Sequence, residues 1–131
     1  MRLAAAGDLH CAAADGGALA EAFAAVAERV DLVLLAGDLT ASGEPVEAAI
    51  VADACRGLAV PVLAVCGNHE ADAGRRGEVI AVLRDAGVRV LDEAHEVLAV
   101  RGPSVGVVGS MGFTGGFAGV RAFAIAGRGA G

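Results

Sequence analysis

The sequence contains no lysine, no tryptophan and no tyrosine, and only four of its 131 residues are phenylalanine. All ten basic residues are therefore arginines, and the 16 acidic residues outnumber them, which gives a net charge of −6. No stretch is basic enough to follow a phosphate backbone, so we expect no nucleic-acid partner. The scarcity of aromatic side chains and the abundance of alanine predict one globular domain with a thinly filled core.

Cysteine is also scarce, and its pattern bears on the cellular compartment. Cys11, Cys55 and Cys66 are odd in number and form no CxxC pair. This argues against a disulfide scaffold and fits a reducing cytosol, so we expect a cytoplasmic location. The longest uncharged stretch, residues 102–120, contains seven glycines and a proline. Such a segment is a poor membrane helix, and no membrane partner is expected.

Apolar runs alternate with segments of helical periodicity, which predicts an α/β fold built from βαβ units. Strands are predicted at residues 2–6, 32–36, 62–65 and 88–91. Helices are predicted at residues 18–29 with one buried face, between Pro45 and Gly57, and at residues 78–86 before Gly87. A hairpin of residues 95–100 and 105–108 is predicted around Gly102-Pro103-Ser104.

Each of the first three predicted strands is followed by a short polar motif: Asp8-Leu9-His10, Gly37-Asp38-Leu39-Thr40 and Gly67-Asn68-His69-Glu70. The motifs lie about thirty residues apart, roughly one strand–helix–strand unit. The carboxyl ends of parallel strands meet at one sheet edge, where ligands bind in open α/β folds. Carboxylate, imidazole and amide donors without thiolate suit Mn, Fe, Zn or Ni better than Ca. The sequence therefore predicts a metal site for oxygen chemistry.

The ordered set D-x-H, G-D and G-N-H-E resembles the calcineurin-like metallophosphoesterases over roughly residues 1–110. The resemblance implies hydrolysis of a phosphate-ester small molecule by a hydroxide that bridges two divalent metal ions. It implies that Asp8 and His10 bind the first ion, and that Asp38 bridges both. Asn68 would bind the second ion and contact the substrate phosphate. His69 would contact the substrate as the catalytic group, acting as a general acid toward the leaving oxygen or stabilising its charge.

The sequence also departs from the family's pattern. The family places three more histidines later in the chain, two of them in a Gly-His-x-His segment, and His95 matches neither motif. We therefore expect the amino-terminal part of a four-layer αββα sandwich, with a partial domain at residues 1–126 and a flexible Gly-rich tail at 127–131. With fewer ligands, the chain alone should bind one ion weakly and turn over substrate poorly or not at all. Missing strands would expose sheet edges, and self-association through those edges is expected.

A second departure concerns the partner of His69. The family often places an aspartate three residues after the bridging one, and this chain has Ala41 there. Asp72 is a conceivable substitute. The resemblance further implies that Gly37 and Gly67 permit tight turns beneath the ions.

Alternative interpretations stay open for several residues and for the whole chain. Cys11 and Cys66 flank the motifs and either bind metal or fill apolar space, the commoner role. Arg75 and Arg76 either attract phosphate or belong to a solvated loop. The alternative to an enzyme is a truncated or degenerate non-catalytic metal-binding module. A Rossmann-like nucleotide binder is a further rival, and it should bind nucleotide without added metal.

Overall fold

The computed structural model describes residues 1–111, which form a parallel sheet, four helices and a β-hairpin. The strands are β1 (Leu3–Ala6), β2 (Leu32–Ala36), β3 (Val62–Val65), β4 (Arg89–Val90), β5 (Ala94–Ala99) and β6 (Ser104–Gly109). The helices are α1 (Gly16–Ala27), α2 (Pro45–Cys55), α3 (Asn68–Asp72) and α4 (Arg76–Asp85), and a 3₁₀ turn at Ala13–Asp15 precedes α1. The parallel sheet has the order β1-β2-β3-β4, and β5 pairs antiparallel with β6. The predicted α/β class is confirmed.

Strand β2 shows how the sheet is covered on both faces. Its register pairs Val33 with Val62 and Leu35 with Ala64 of β3, and these side chains belong to the cluster that α2 and α4 complete. Leu32 points to the opposite face and packs in a second cluster with side chains of the hairpin. Successive side chains of a strand alternate between the two faces, which explains why β2 is apolar throughout.

The ends of α2 and α4 follow the signals in the sequence. Pro45 occupies the first turn of α2, where its missing N–H is not needed. Gly57 and Gly87 follow the two helices with φ of +78° and +91°. After α4, Gly87 N–H donates to the Arg84 carbonyl (3.0 Å) and the next N–H donates to the Leu83 carbonyl (3.1 Å). These are the two hydrogen bonds of a Schellman motif, which only a left-handed residue completes.

Helix α1 is less buried than its apolar spacing predicts. Leu19 and Phe23 pack against the apolar cluster between the parallel sheet and the helices, but they are only partly buried. Val26 is 37% exposed. No residue of α1 is fully buried. Helix α1 packs chiefly against α2, and the strand that precedes it, β1, is an edge of the described sheet. On that strand Leu3 is itself 45% exposed.

Most predicted elements are confirmed, with two differences. Strands β2 and β3 occupy the predicted residues, and each of the four ends of the hairpin strands is displaced by one residue. The fourth strand is two residues long, and helix α3 was not predicted. A five-residue helix spans little more than one turn and cannot display helical periodicity. The predicted tail at residues 127–131 lies outside the described residues.

The described layers position the three motifs at one edge of the parallel sheet. Helices, parallel sheet and hairpin are stacked in that order, which corresponds to an α, a β and a second β layer of the expected sandwich. No helix of residues 1–111 has the length and apolar character needed to cross a bilayer.

Candidate metal centre

The loops after β1 and β2 run side by side beyond the ends of their strands. The Asp8 N–H donates to the Gly37 carbonyl (3.1 Å), and the His10 N–H donates to the Asp38 carbonyl (2.9 Å). Two more hydrogen bonds join Cys11 to this second loop. The Cys11 N–H donates to the Leu39 carbonyl (3.0 Å), and the Cys11 carbonyl accepts the Ala41 N–H (3.0 Å). The backbone therefore fixes the first motif against the second without help from side chains.

Three of the predicted ligands have a backbone conformation that L-residues rarely adopt. The φ angles of Asp8, His10 and Asp38 are +53°, +44° and +47°. Among residues 1–111 only Glu93 and Arg101 are further non-glycine residues with positive φ. Such conformations cost about 1–3 kcal/mol each and concentrate at functional sites. The strain is therefore an indication of function that is independent of the side-chain chemistry.

The three motifs together bring one carboxylate and two imidazole groups close to one another. One ligand atom from each of His10, Asp38 and His69 lies within 4.8 Å of the other two. The His69 Nε2 is 4.0 Å from the Asp38 Oδ2. The two imidazole rings meet edge to face, with centroids 4.5 Å apart and planes at 66°. These three side chains could hold one divalent ion, because imidazole and carboxylate are the donors that such ions share in proteins.

The other two predicted ligands lie at the border of this group. The Asp8 Oδ1 is 3.8 Å from the His10 Nε2, and the Asp8 side chain is 78% exposed. The side-chain amide of Asn68 lies 3.3 Å from both oxygens of Asp38, and its NH₂ group can donate to them. His10, Asn68 and His69 thus lie around Asp38, and Asp8 lies beside His10, farther into solvent. Their roles as ligands stay predictions.

His69 is oriented by a backbone carbonyl. Its Nδ1 lies 2.7 Å from the Ala41 oxygen, and its backbone N–H donates to the Asp38 Oδ1 (3.1 Å). A carbonyl can only accept, so Nδ1 carries the proton and Nε2 is left facing Asp38. The partner of His69 is therefore Ala41 through its main chain, and the suggested substitute Asp72 does not take this part.

Glycine is required where the second and third motifs touch. A Cβ on Gly67 would overlap the Oδ1 and the backbone nitrogen of Asp38. A Cβ on Gly37 would lie 3.2 Å from the Gly67 Cα, and Gly37 has a φ of +83°. These contacts bring two loop backbones together beneath Asp38.

Sequence reasoning missed the part that Glu70 plays. Its carboxylate is fully buried and accepts hydrogen bonds from Thr40 and from the Gly67 backbone. The residue stands inside the third motif, so its presence was visible in the sequence. Its burial was not, because glutamate is almost never fully buried unless it is paired.

Burial and ion pairing bear on the open alternatives for the cysteines and arginines near the motifs. Cys11 and Cys66 are buried, and burial raises the pKa of the Cys66 thiol to about 11. A protonated, buried thiol fits the role of apolar filler. Arg75 pairs with Glu44 and Glu78 across the start of α4. Arg76 pairs with Asp92, so both guanidinium groups already have carboxylate partners.

The family assignment rests on a sequence match that covers most of the chain. The sequence model of the calcineurin-like phosphoesterases matches residues 1–116. The chain belongs to the calcineurin-like phosphoesterase family. A search against curated proteins found no significant match. The family assignment indicates metal-dependent hydrolysis of phosphoric esters, and the His10–Asp38–His69 group is where this member of the family could bind a metal ion.

The site of this calcineurin-like phosphoesterase is open to solvent. Two clefts of about 590 and 480 Å³ are present in the described part of the chain, and neither is lined by a motif residue. One includes Pro61 and Arg89, and the other includes Arg2 and Asp31, so both lie toward the opposite edge of the sheet.

Proposed function

We propose that the protein hydrolyses phosphoric esters of small molecules with the help of divalent metal ions at the His10–Asp38–His69 group. The observation that supports this most is the convergence of those three side chains at the carboxyl edge of the sheet, within 4.8 Å of one another. The family assignment supplies the reaction class. The left-handed backbone of two of the three residues adds independent support.

The chain's donors would give three ligands to a first ion and only two to a second. Asp8 and His10 would hold the first, Asn68 would hold the second, and Asp38 would bridge them with its two oxygens. The carboxylate of Asp38 is held in place by the His69 N–H, which contacts only Oδ1 and leaves Oδ2 toward the imidazole. Bound divalent ions would supply a water-derived nucleophile and compensate the charge of the phosphoryl group. Mn, Fe, Zn and Ni all suit these donors.

His69 is proposed as the catalytic group. The Ala41 carbonyl accepts a hydrogen bond from Nδ1, so Nε2 is the atom available to the leaving oxygen. Nε2 must first take up a second proton, which makes the ring an imidazolium, before it can protonate that oxygen or stabilise its charge. The same Nε2 faces Asp38 and is a competing candidate ligand. The two roles differ in their consequences, because a ligand affects metal affinity whereas an acid affects turnover at saturating metal.

The decisive experiment compares metal binding and turnover in matched variants of the full chain. Metal-stripped protein is titrated with Mn²⁺ by calorimetry and assayed with a chromogenic phosphodiester. Asp38→Asn should abolish both binding and turnover. Asp53→Asn makes the same change at an exposed position of α2 and should leave both intact. His69→Gln should bind Mn²⁺ normally and lose turnover if His69 is the acid.

Three results would contradict the proposed site or favour an alternative function. Turnover that persists in Asp38→Asn would contradict the proposed site. Mn²⁺ binding that depends on Asp38 but supports no turnover would favour the non-catalytic metal-binding module. Nucleotide binding without metal would favour the Rossmann-like alternative.

We further propose the cellular setting and the assembly. All three cysteines are free thiols, which supports a cytoplasmic location. Strand β1 pairs only with β2 within residues 1–111, and Leu3 on it is half exposed. This supports self-association through the edge of β1, which sedimentation of the chain over a concentration series would detect.

A further inference from the structure

Glu70 is a buried carboxylate for which the proposed chemistry has no use. Among residues 1–111, Glu70 and Thr40 are the buried polar side chains, and both are 0% exposed. A carboxylate out of contact with water is unfavourable unless its oxygens accept hydrogen bonds from the protein. Its partners therefore show what the residue does.

Every partner of Glu70 is a donor on one of the motif loops. Its Oε1 accepts the backbone N–H of Thr40 (2.8 Å) and the Thr40 hydroxyl (2.6 Å). Its Oε2 accepts the backbone N–H of Gly67 (2.7 Å). The Thr40 hydroxyl also accepts the Gly43 N–H (2.9 Å), so its own proton is free to point at Glu70. Both carboxylate oxygens act only as acceptors.

These bonds connect the loops that carry the proposed ligands. Thr40 lies two residues after Asp38, and Gly67 directly precedes Asn68 and His69. The Gly67 bond is local, since Glu70 is the third residue of α3 and Gly67 its N-cap. The Thr40 bonds span 30 residues of sequence and are not needed to cap a helix. Glu70 thus joins the loop after β2 to the loop after β3.

We propose that Glu70 is a positioning residue that holds Asp38 beside Asn68 and His69 so that all three can act on one metal centre. This inference rests on the proposed function of that centre. The link extends to the first motif, because the Ala41 N–H donates to the Cys11 carbonyl (3.0 Å) directly after Thr40. One buried carboxylate therefore stabilises the arrangement of all three motif loops.

Glutamine is the sharpest substitution because it keeps the shape and changes one acceptor into a donor. In one orientation its NH₂ group faces the Gly67 N–H, and in the other it faces the Thr40 N–H. Either way one buried backbone donor loses its acceptor. Thr40→Val removes the hydroxyl bond at the other end of the link, and Thr40→Ser keeps it. Val79→Ala truncates a fully buried side chain of α4, outside the three motifs, and serves as the stability control.

The test has one readout without metal and one with metal. In the metal-free full chain, amide chemical shifts and hydrogen exchange are measured at residues 38, 40, 67 and 69. Mn²⁺ affinity is then measured by calorimetry on the folded protein. Glu70→Gln should shift and deprotect these amides and weaken Mn²⁺ binding at least about tenfold, the usual effect of losing a group that orients metal ligands. Thr40→Val should also weaken Mn²⁺ binding and deprotect the same amides. Thr40→Ser and Val79→Ala should bind Mn²⁺ with the affinity of the unmodified chain.

The outcomes separate this inference from the proposed function. Folded Glu70→Gln with unchanged amides and Mn²⁺ affinity would overturn the inference, as would an equal loss of affinity in Val79→Ala. If Glu70→Gln does not fold, wild-type affinity in Thr40→Val overturns it and weakened affinity supports it. If the unmodified chain binds no Mn²⁺, the proposed function fails. The amide measurements on the metal-free chain then test the inference by themselves. Altered amide shifts and exchange at residues 38 and 69 in Glu70→Gln would support the positioning role, and unchanged ones would overturn it.

Discussion

Replacing Gly67 by alanine tests the close approach of the second and third motifs most directly. The added Cβ would overlap the carboxylate Oδ1 and the backbone nitrogen of Asp38. The side-chain oxygen could rotate away, but the backbone nitrogen belongs to a loop that is bonded to the first motif. The φ of Gly67 is −103°, a value that alanine adopts without strain, so the effect isolates steric overlap from backbone conformation.

The expected magnitude follows from comparison with a second glycine. Gly77 lies in α4 and a Cβ there would meet nothing within 4 Å, so Gly77→Ala should stabilise the chain by about 0.5–1 kcal/mol through helix propensity. Gly67→Ala should destabilise by about 1–3 kcal/mol, the usual effect of overpacking. The same chemical change at the two sites should therefore give free energies of unfolding that differ by roughly 1.5–4 kcal/mol.

Urea denaturation of the full chain, followed by circular dichroism, measures both free energies under the same conditions. Calorimetry with Mn²⁺ adds a second comparison, because Gly67→Ala should displace Asp38 and weaken binding whereas Gly77→Ala should not. The reasoning would be refuted by a Gly67→Ala variant as stable as Gly77→Ala with the affinity of the unmodified chain.

Two further predictions concern the left-handed backbone and the buried thiols. Asp8→Gly and Asp8→Ala both delete a proposed ligand, but Gly tolerates the φ of +53° and should be about 1 kcal/mol more stable than Ala in urea denaturation; equal stabilities would contradict the inferred strain. Burial raises the pKa of Cys66 from 9.0 to about 11, so its contribution to stability is complete below pH 9 and is lost as the pH rises toward 11. Between pH 8.5 and 10.5, Cys66→Ala should therefore lose less unfolding free energy than the unmodified chain, by about 1.5–2 kcal/mol.

The sheet and the convergence of the motifs could be predicted because both depend on short-range signals. Continuous apolar runs mark strands that are covered on two faces, and β2 and β3 begin and end where those runs do. Once the strands are parallel, their carboxyl ends must share an edge, and Asp8, Asp38 and Asn68 come together without any knowledge of packing. Topology therefore follows from pattern here.

The partners of the site residues could not be predicted, because they come from groups that every residue carries. The Ala41 oxygen holds His69, and a main-chain carbonyl leaves no trace in residue type. Glu70 stood in a recognised motif, yet a glutamate is expected at the surface unless specific donors surround it. Those donors are the N–H groups of Thr40 and Gly67, which only the folded loops bring together.

The residues with left-handed backbone combine information from residue type with information from the folded backbone. Residue type made Asp8, His10 and Asp38 candidates because of what their side chains can bind, and their φ angles come from the paths of the loops. A loop with no need to direct these side chains toward one point would be more stable with glycine at such positions, since L-residues there cost about 1–2 kcal/mol. Short polar residues tolerate that region better than most, but tolerance does not explain three instances on two paired loops. The conflict between residue type and backbone is what a binding site imposes on its scaffold. It therefore supports the metal centre on grounds separate from the family resemblance.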